Sequence, residues 1–198
     1  MIPVTPQPEP NDFDALVRQP GLQWLNEKGI PLDQAPPDPA DLPTYWRRAQ
    51  KKLWKEYQGV CAYLCIYFEW PLGAQSTDHF IAKSRNAGQA YEWANYRLSC
   101  LGMNRIKNRF DDILDPFEIK ADTFMLNLAS GEIKPNPGLS LVMKVRANKT
   151  IKRLRLNDPE TNRMRAEHYS EYLNGVPEWK LKKDSPFVWY EANRQGLL

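Results

Sequence analysis

Cysteine and histidine are both scarce in this chain: three of one and two of the other in 198 residues. An odd number of cysteines without a secretory context excludes a disulfide framework as the basis of the fold. No continuous apolar run is long enough to cross a bilayer, and no basic-then-apolar leader follows Met1. No membrane partner is therefore expected, and the cytoplasm is the expected compartment. No internal repeat is found. The opening stretch Met1–Pro10 (MIPVTPQPEP) is too rich in proline for regular structure and is expected to be an extended arm.

Charge of one sign is also missing in places. Residues 1–42 hold only two basic side chains, Arg18 and Lys28, against seven acidic ones, leaving 25 basic and 17 acidic residues in the remainder. From Leu139 through Asn157 no acidic residue occurs, while Lys144, Arg146, Lys149, Lys152, Arg153 and Arg155 do. A second basic group is Arg47, Arg48, Lys51, Lys52 and Lys55. Such stretches suit a polyanion, although solvated helix faces would have the same composition.

The length allows one medium domain with a helical elaboration, and the seven Trp and nine Tyr supply material for its core. Three regions are expected: residues 1–43 as an acidic, proline-rich arm with short helices, 44–118 as the functional core behind a basic helix, and 119–198 as a mostly helical elaboration. Phe13, Leu16 and Val17, then Leu22, Trp24 and Leu25, predict short helical pieces interrupted at Pro20-Gly21. The run from Pro31 to Pro43 reads as a linker. Thr44 can cap a helix in which Tyr45, Trp46, Ala49, Leu53, Trp54 and Tyr57 recur at helical spacing, ending near Gly59. Val60–Trp70 is β-branched and aromatic and predicts a strand, or strand-turn-strand. A second short strand is expected over Thr77–Phe80, and a helix over Leu98–Phe110. Thr123–Leu128 and Gly131–Lys134 suit a small hairpin. Leu139–Leu156 and Asn162–Leu173 suit helices, and the aromatic tail beyond Pro177 is ambiguous. The expected class is α+β.

Chemistry concentrates in Asp78–Lys107. Phosphodiester hydrolysis needs a deprotonated water, neutralised phosphate charge and a stabilised leaving oxygen. A neutral imidazole, His79, suits the first task. One carboxylate and one amide oxygen, Asp78 and Asn104, suit a hard divalent cation, Mg²⁺ or Mn²⁺, whose shell water and phosphate complete. Adjacent strand residues face opposite ways, so Asp78 and His79 can serve one site only at a strand end or twisted loop. Lys107, Arg105, Lys83 and Arg109 are candidate phosphate contacts, or solvated charges. Asn95 can cap a following helix or brace a loop. His168 has no such company and reads as a surface residue.

At Asp78-His79, Trp93-x-Asn95 and Cys100-x-x-Met103-Asn104-x-x-Lys107 the sequence resembles the HNH endonucleases. The likeness covers about residues 61–110. It implies a small ββα-metal core embedded in a mainly helical domain, with His79 activating water, Asp78 and Asn104 binding the metal, and Asn95 bracing the loop that orients His79. A looser likeness through Asp115-Pro116-Phe117 and Ile151–Asn157 is to the HNH proteins that accompany an ATPase in Septu-type and retron-linked anti-phage systems. That implies DNA as substrate, with RNA also open, and an ATPase partner protein. Many HNH proteins hold a structural zinc with two Cys-x-x-Cys pairs. Here Leu64 and Met103 stand at one position of each pair, so Cys61 and Cys100 read as buried remnants around a hydrophobic plug. A three-cysteine site with Cys65 is the alternative. A non-cleaving HNH-like binding module and a regulated subunit of an ATPase assembly, with the acidic arm docking or shielding, are the competing functions.

Overall fold

The computed structural model describes residues 1–198. Its regular elements are seven α-helices and two separate two-stranded antiparallel sheets, an α+β composition. None of the helices is long and apolar enough to cross a membrane. The chain divides into two compact units, Pro6–Gly59 with Glu69–Asp111, and Met1–Thr5 with Val60–Phe68 and Asp112–Leu198. These boundaries differ from the expected breaks at 43 and 118. Proline content reports the lack of regular structure but not where side chains go, and in the first unit those of the arm go inward.

In that first unit, Phe13 is buried edge-on against Trp93 and Tyr96, at ring separations of 5.5 and 5.6 Å. Arg18 is hydrogen-bonded to Glu9, Asp14 and Glu92. Trp93 Nε1 donates to the Gln7 carbonyl at 2.8 Å. The acidic arm is thus part of the unit's core. A π-turn over Asp14–Arg18 runs straight into α1 (Gln19–Glu27), so the interruption expected at Pro20-Gly21 is absent. Pro20 falls in the first turn of α1, where a missing N–H costs little. Gly21 is needed for space: a Cβ there would come within 2.2 Å of the Tyr91 ring.

A 3-10 turn at Tyr45–Ala49 leads into α2 (Gln50–Glu56). Thr44 stands at its start without capping it. Then β1 (Gln75–His79) pairs antiparallel with β2 (Tyr96–Cys100), with Asp78 opposite Arg97 and His79 opposite Tyr96. The connection between them, residues 80–95, carries only short 3-10 turns at Gly88–Tyr91 and Trp93–Asn95. From Cys100 the chain passes directly into α3 (Leu101–Lys107). The helix expected from Leu98 therefore starts three residues later, because Tyr96–Cys100 is a strand. Tyr96, Arg97, Leu98 and Ser99 are all buried, so no alternation marked it. The helix also ends early, at Asn108 with φ of 45°.

In the second unit, Val60–Trp70 is not a strand: Val60 and Tyr67 form a single antiparallel bridge around a tight turn. The expected hairpin is present as β3 (Phe124–Leu126) and β4 (Ile133–Pro135). Asn157 pairs with both backbone groups of Ile133, at 2.8 Å each. Helices α4 (Leu141–Arg153) and α5 (Pro159–Leu173) follow, and the ambiguous tail forms α6 (Glu178–Asp184) and α7 (Pro186–Arg194). Buried Arg165 donates to the carbonyls of Gly131 and Leu156.

Substituting Gly21→Ala should cost roughly 1–3 kcal/mol by overpacking the Tyr91 ring. For a chain of this size that lowers Tm by roughly 2–4 °C per kcal/mol in thermal unfolding. An unchanged Tm would refute the tight α1–Tyr91 contact.

Candidate active-site cleft

The site is set by the meeting of two periodicities. Alternate residues of β1, Ser76 and Asp78, face one way, and residues three apart on α3, Asn104 and Lys107, meet them. Asn104 Nδ2 donates to Ser76 Oγ. Lys107 Nζ lies 3.2 Å from Asp78 Oδ1, and both side chains are buried. The same ammonium donates to the carbonyls of His79, at 2.6 Å, and Phe80, at 2.9 Å. Burial lowers the pKa of Lys107, and the Asp78 charge acts against that.

His79 is the last residue of β1, and its ring packs edge-on against Trp46 at 4.9 Å and Tyr96 at 5.2 Å. Its Nε2 lies 3.0 Å from the Ala90 carbonyl, which also accepts from Tyr96 Oη at 2.8 Å. A carbonyl only accepts, so the proton sits on Nε2 and Nδ1 is the basic nitrogen. Burial drives the imidazole from 6.5 down to about 3, against the raising effect of the Ala90 bond. The ring is neutral at ordinary pH.

The 80–95 loop that supplies this carbonyl is fixed by Asn95. The Asn95 Oδ1 accepts from Ile81 N at 2.8 Å, and Nδ2 donates to the carbonyls of Ile81 and Gln89, at 3.0 and 2.9 Å. Gln89 immediately precedes Ala90, so Asn95 holds the segment that holds His79. No helix follows Asn95 directly, which removes the capping alternative.

Asp78, His79 and Asn104 line one open cleft of about 890 Å³. Because His79 ends its strand, it shares this cleft with Asp78 despite the alternation between them. Around them stand Arg47, Lys83, Arg105 and Arg109. Lys83 is partly committed, donating to the Pro39 carbonyl at 2.8 Å and lying over the Trp46 ring. Arg47, Arg105 and Arg109 are exposed and make no ion pair or hydrogen bond. Elsewhere in this unit Arg18 and Arg85 are ion-paired and Arg48 and Arg97 bond to carbonyls. Lys107 is a correction: expected at the phosphate, it is buried beneath the cleft and engaged with Asp78. Arg47 and Trp46 were not singled out from the sequence; only the basic helix that carries them was.

The oxygen donors that line the cleft include a buried carboxylate, Asp78, and a helix amide, Asn104, the ligand types that a hard divalent cation takes. No cluster of three or more His, Cys, Asp or Glu side chains suited to a metal is formed. None of the three cysteines forms a disulfide; Cys100, expected to be buried, is half-buried in this unit, and Cys61 and Cys65 are buried in the other. No protein-family model matches the chain, and no curated protein matches it in a sequence search.

The depressed His79 pKa makes stability acid-sensitive. Between about 6.5 and about 3 the unfolded chain binds a proton at His79 that the folded chain refuses, so stability falls as pH drops through that window. Urea unfolding of a His79→Asn variant should lose this component of the decline between about pH 7 and 4. Equal slopes in both proteins would contradict a buried neutral ring.

Proposed function

We propose that the chain is a metal-dependent endonuclease of HNH type that hydrolyses phosphodiester bonds in nucleic acid, with DNA the expected substrate. The observation that carries this reading is a neutral imidazole, its Nε2 proton bound to a carbonyl, sharing one cleft with a buried carboxylate, a helix amide and three unpaired guanidinium groups. The order of the elements supports it as well: two antiparallel strands followed at once by a helix, with Asp78 and His79 on the first strand and Asn104 on the helix.

In this reading His79 Nδ1 takes the proton from the attacking water, and Nε2 stays locked on Ala90 throughout. Asn95 acts as a positioning residue for that lock. Arg47, Arg105 and Arg109 hold the flanking phosphates, with Lys83 at the rim. Asp78 and Asn104 would bind a divalent cation, Mg²⁺ or Mn²⁺, which supplies charge neutralisation at the phosphate and the leaving oxygen. The resemblance to HNH endonucleases implies that cleavage leaves a 5′-phosphate and a 3′-hydroxyl. The chemistry addresses the phosphate and not base edges, so RNA is a substrate to test in parallel.

One observation favours a second reading. Asp78 is ion-paired with Lys107, which suits a module that holds nucleic acid without cutting it. Salt-sensitive binding with no cleavage under any divalent ion would select it. The partner role suggested for the acidic arm is less well supported, because Phe13, Val17 and Leu25 are core residues and the arm is not free to dock elsewhere. An ATPase partner would have to engage another surface.

Plasmid nicking with Mg²⁺ or Mn²⁺ should fall by about 10²–10⁴-fold in His79→Ala, the usual worth of a general base. Equal nicking by both proteins would remove His79 from the chemistry. In DNA binding measured across salt concentrations, Arg105→Ala and Arg109→Ala should each reduce the log–log slope by about 0.9, one phosphate contact apiece. Unchanged slopes would place the nucleic acid on another face.

A further inference from the structure

Helix α3 ends in a backbone conformation that its residue does not favour. Asn108 follows the helix with φ of 45° and ψ of −120°. Its N–H donates to the Asn104 carbonyl and the Phe110 N–H donates to the Lys107 carbonyl, both at 2.9 Å. Residues 107–110 thus close a tight turn with Asn108 at its first central position. A turn of this hand needs a positive φ there, and glycine takes it without strain. Asparagine in such a position recovers part of the cost when its side chain bonds to the backbone nearby. Asn108 does not: its side chain is exposed and makes no hydrogen bond within the protein. It lines the cleft together with Asn104, Arg105 and Arg109. A glycine would relax this turn, and what asparagine adds in its place is an amide group offered to the cleft.

We propose that Asn108 contacts the substrate, its side-chain amide donating to a backbone phosphate oxygen of the nucleic acid bound in the cleft. The inference rests on the nucleic-acid reading of the cleft and deepens it. Asn108 stands four residues beyond Asn104, one turn along the same face, and directly before Arg109. The phosphate it takes is therefore a neighbour of the one at Asn104. Strain kept at an exposed position, where neither packing nor a local bond compensates it, is the kind that binding sites retain. The contact is uncharged. It adds affinity without releasing a counter-ion, which sets it apart from the guanidinium groups on either side.

The test compares Asn108→Gly and Asn108→Asp with wild type, all as full chains. Asn108→Gly relaxes the turn and removes the amide. Its Tm should rise by about 2–4 °C. Its affinity for a fluorescein-labelled DNA duplex, measured in chelator across salt concentrations, should fall by about 10-fold. The log–log salt slope should stay at the wild-type value, because no charge is lost. Asn108→Asp keeps the shape but offers only acceptors to the phosphate, so it should bind at least as weakly as Asn108→Gly. Plasmid nicking with Mn²⁺ should fall in step with binding in both variants. A raised Tm with unchanged affinity would make the turn strained without a role in binding and would overturn the proposal. A lowered Tm for Asn108→Gly, or wild-type affinity in Asn108→Asp, would overturn it too. If wild type nicks DNA and Asn108→Gly nicks it equally, this inference fails alone. If the variants lose affinity as expected but wild type never cuts under any divalent ion, the contact stands and the nuclease reading falls.

Discussion

The floor of the cleft depends on the fit between a strand with a two-residue repeat and a helix whose neighbours are three residues apart. Ser76 and Asp78 on β1 meet Asn104 and Lys107 on α3, and this contact fixes the strand and the helix against each other. The pairing of β1 with β2 sets the height of the strand, and the direct passage from Cys100 into Leu101 sets the start of the helix. A shift of one residue in either element would turn Asp78 away from the helix.

The second determinant is the conformation of the 80–95 loop. Which nitrogen of His79 carries the proton is set by the Ala90 carbonyl, which leaves Nδ1 as the basic one. That carbonyl is shared with Tyr96, which stands opposite His79 in the sheet, and Asn95 fixes the residue before it. Burial then holds the ring neutral. Ala90, Asn95 and Tyr96, all more than ten positions beyond His79, thus settle one tautomer.

The residues that line the cleft are legible in the sequence because the reading rests on residue type and order. Asp78, His79 and Asn104 were singled out from the needs of hydrolysis, and the fold brings all three to one cleft. Lys107 was misplaced because its burial depends on a partner 29 positions earlier, and local pattern gives a lysine no reason to be inside. Arg47 lay in a basic helix whose members look alike in sequence; only tertiary packing separates it from Arg48, which bonds to the Leu16 carbonyl. The strand Tyr96–Cys100 leaves no alternation in the sequence because Tyr96 to Ser99 are all buried, which is why the helical pattern expected from Leu98 begins inside it. Met1–Pro10 carries no regular structure, as its prolines imply, whereas Phe13, Val17 and Leu25, in the helical stretch that follows, are buried in the core of the first unit, a consequence of packing that composition does not encode.

The central claim is that Asp78 and Asn104 together bind one divalent cation beside His79. It is tested most directly by a crystal structure of the chain soaked in Mn²⁺, with anomalous scattering used to locate the ion. The account predicts a single anomalous peak about 2 Å from an oxygen of each of Asp78 and Asn104, on the cleft side of the carboxylate. A peak elsewhere, or none in this cleft with Lys107 still bonded to Asp78, would contradict it.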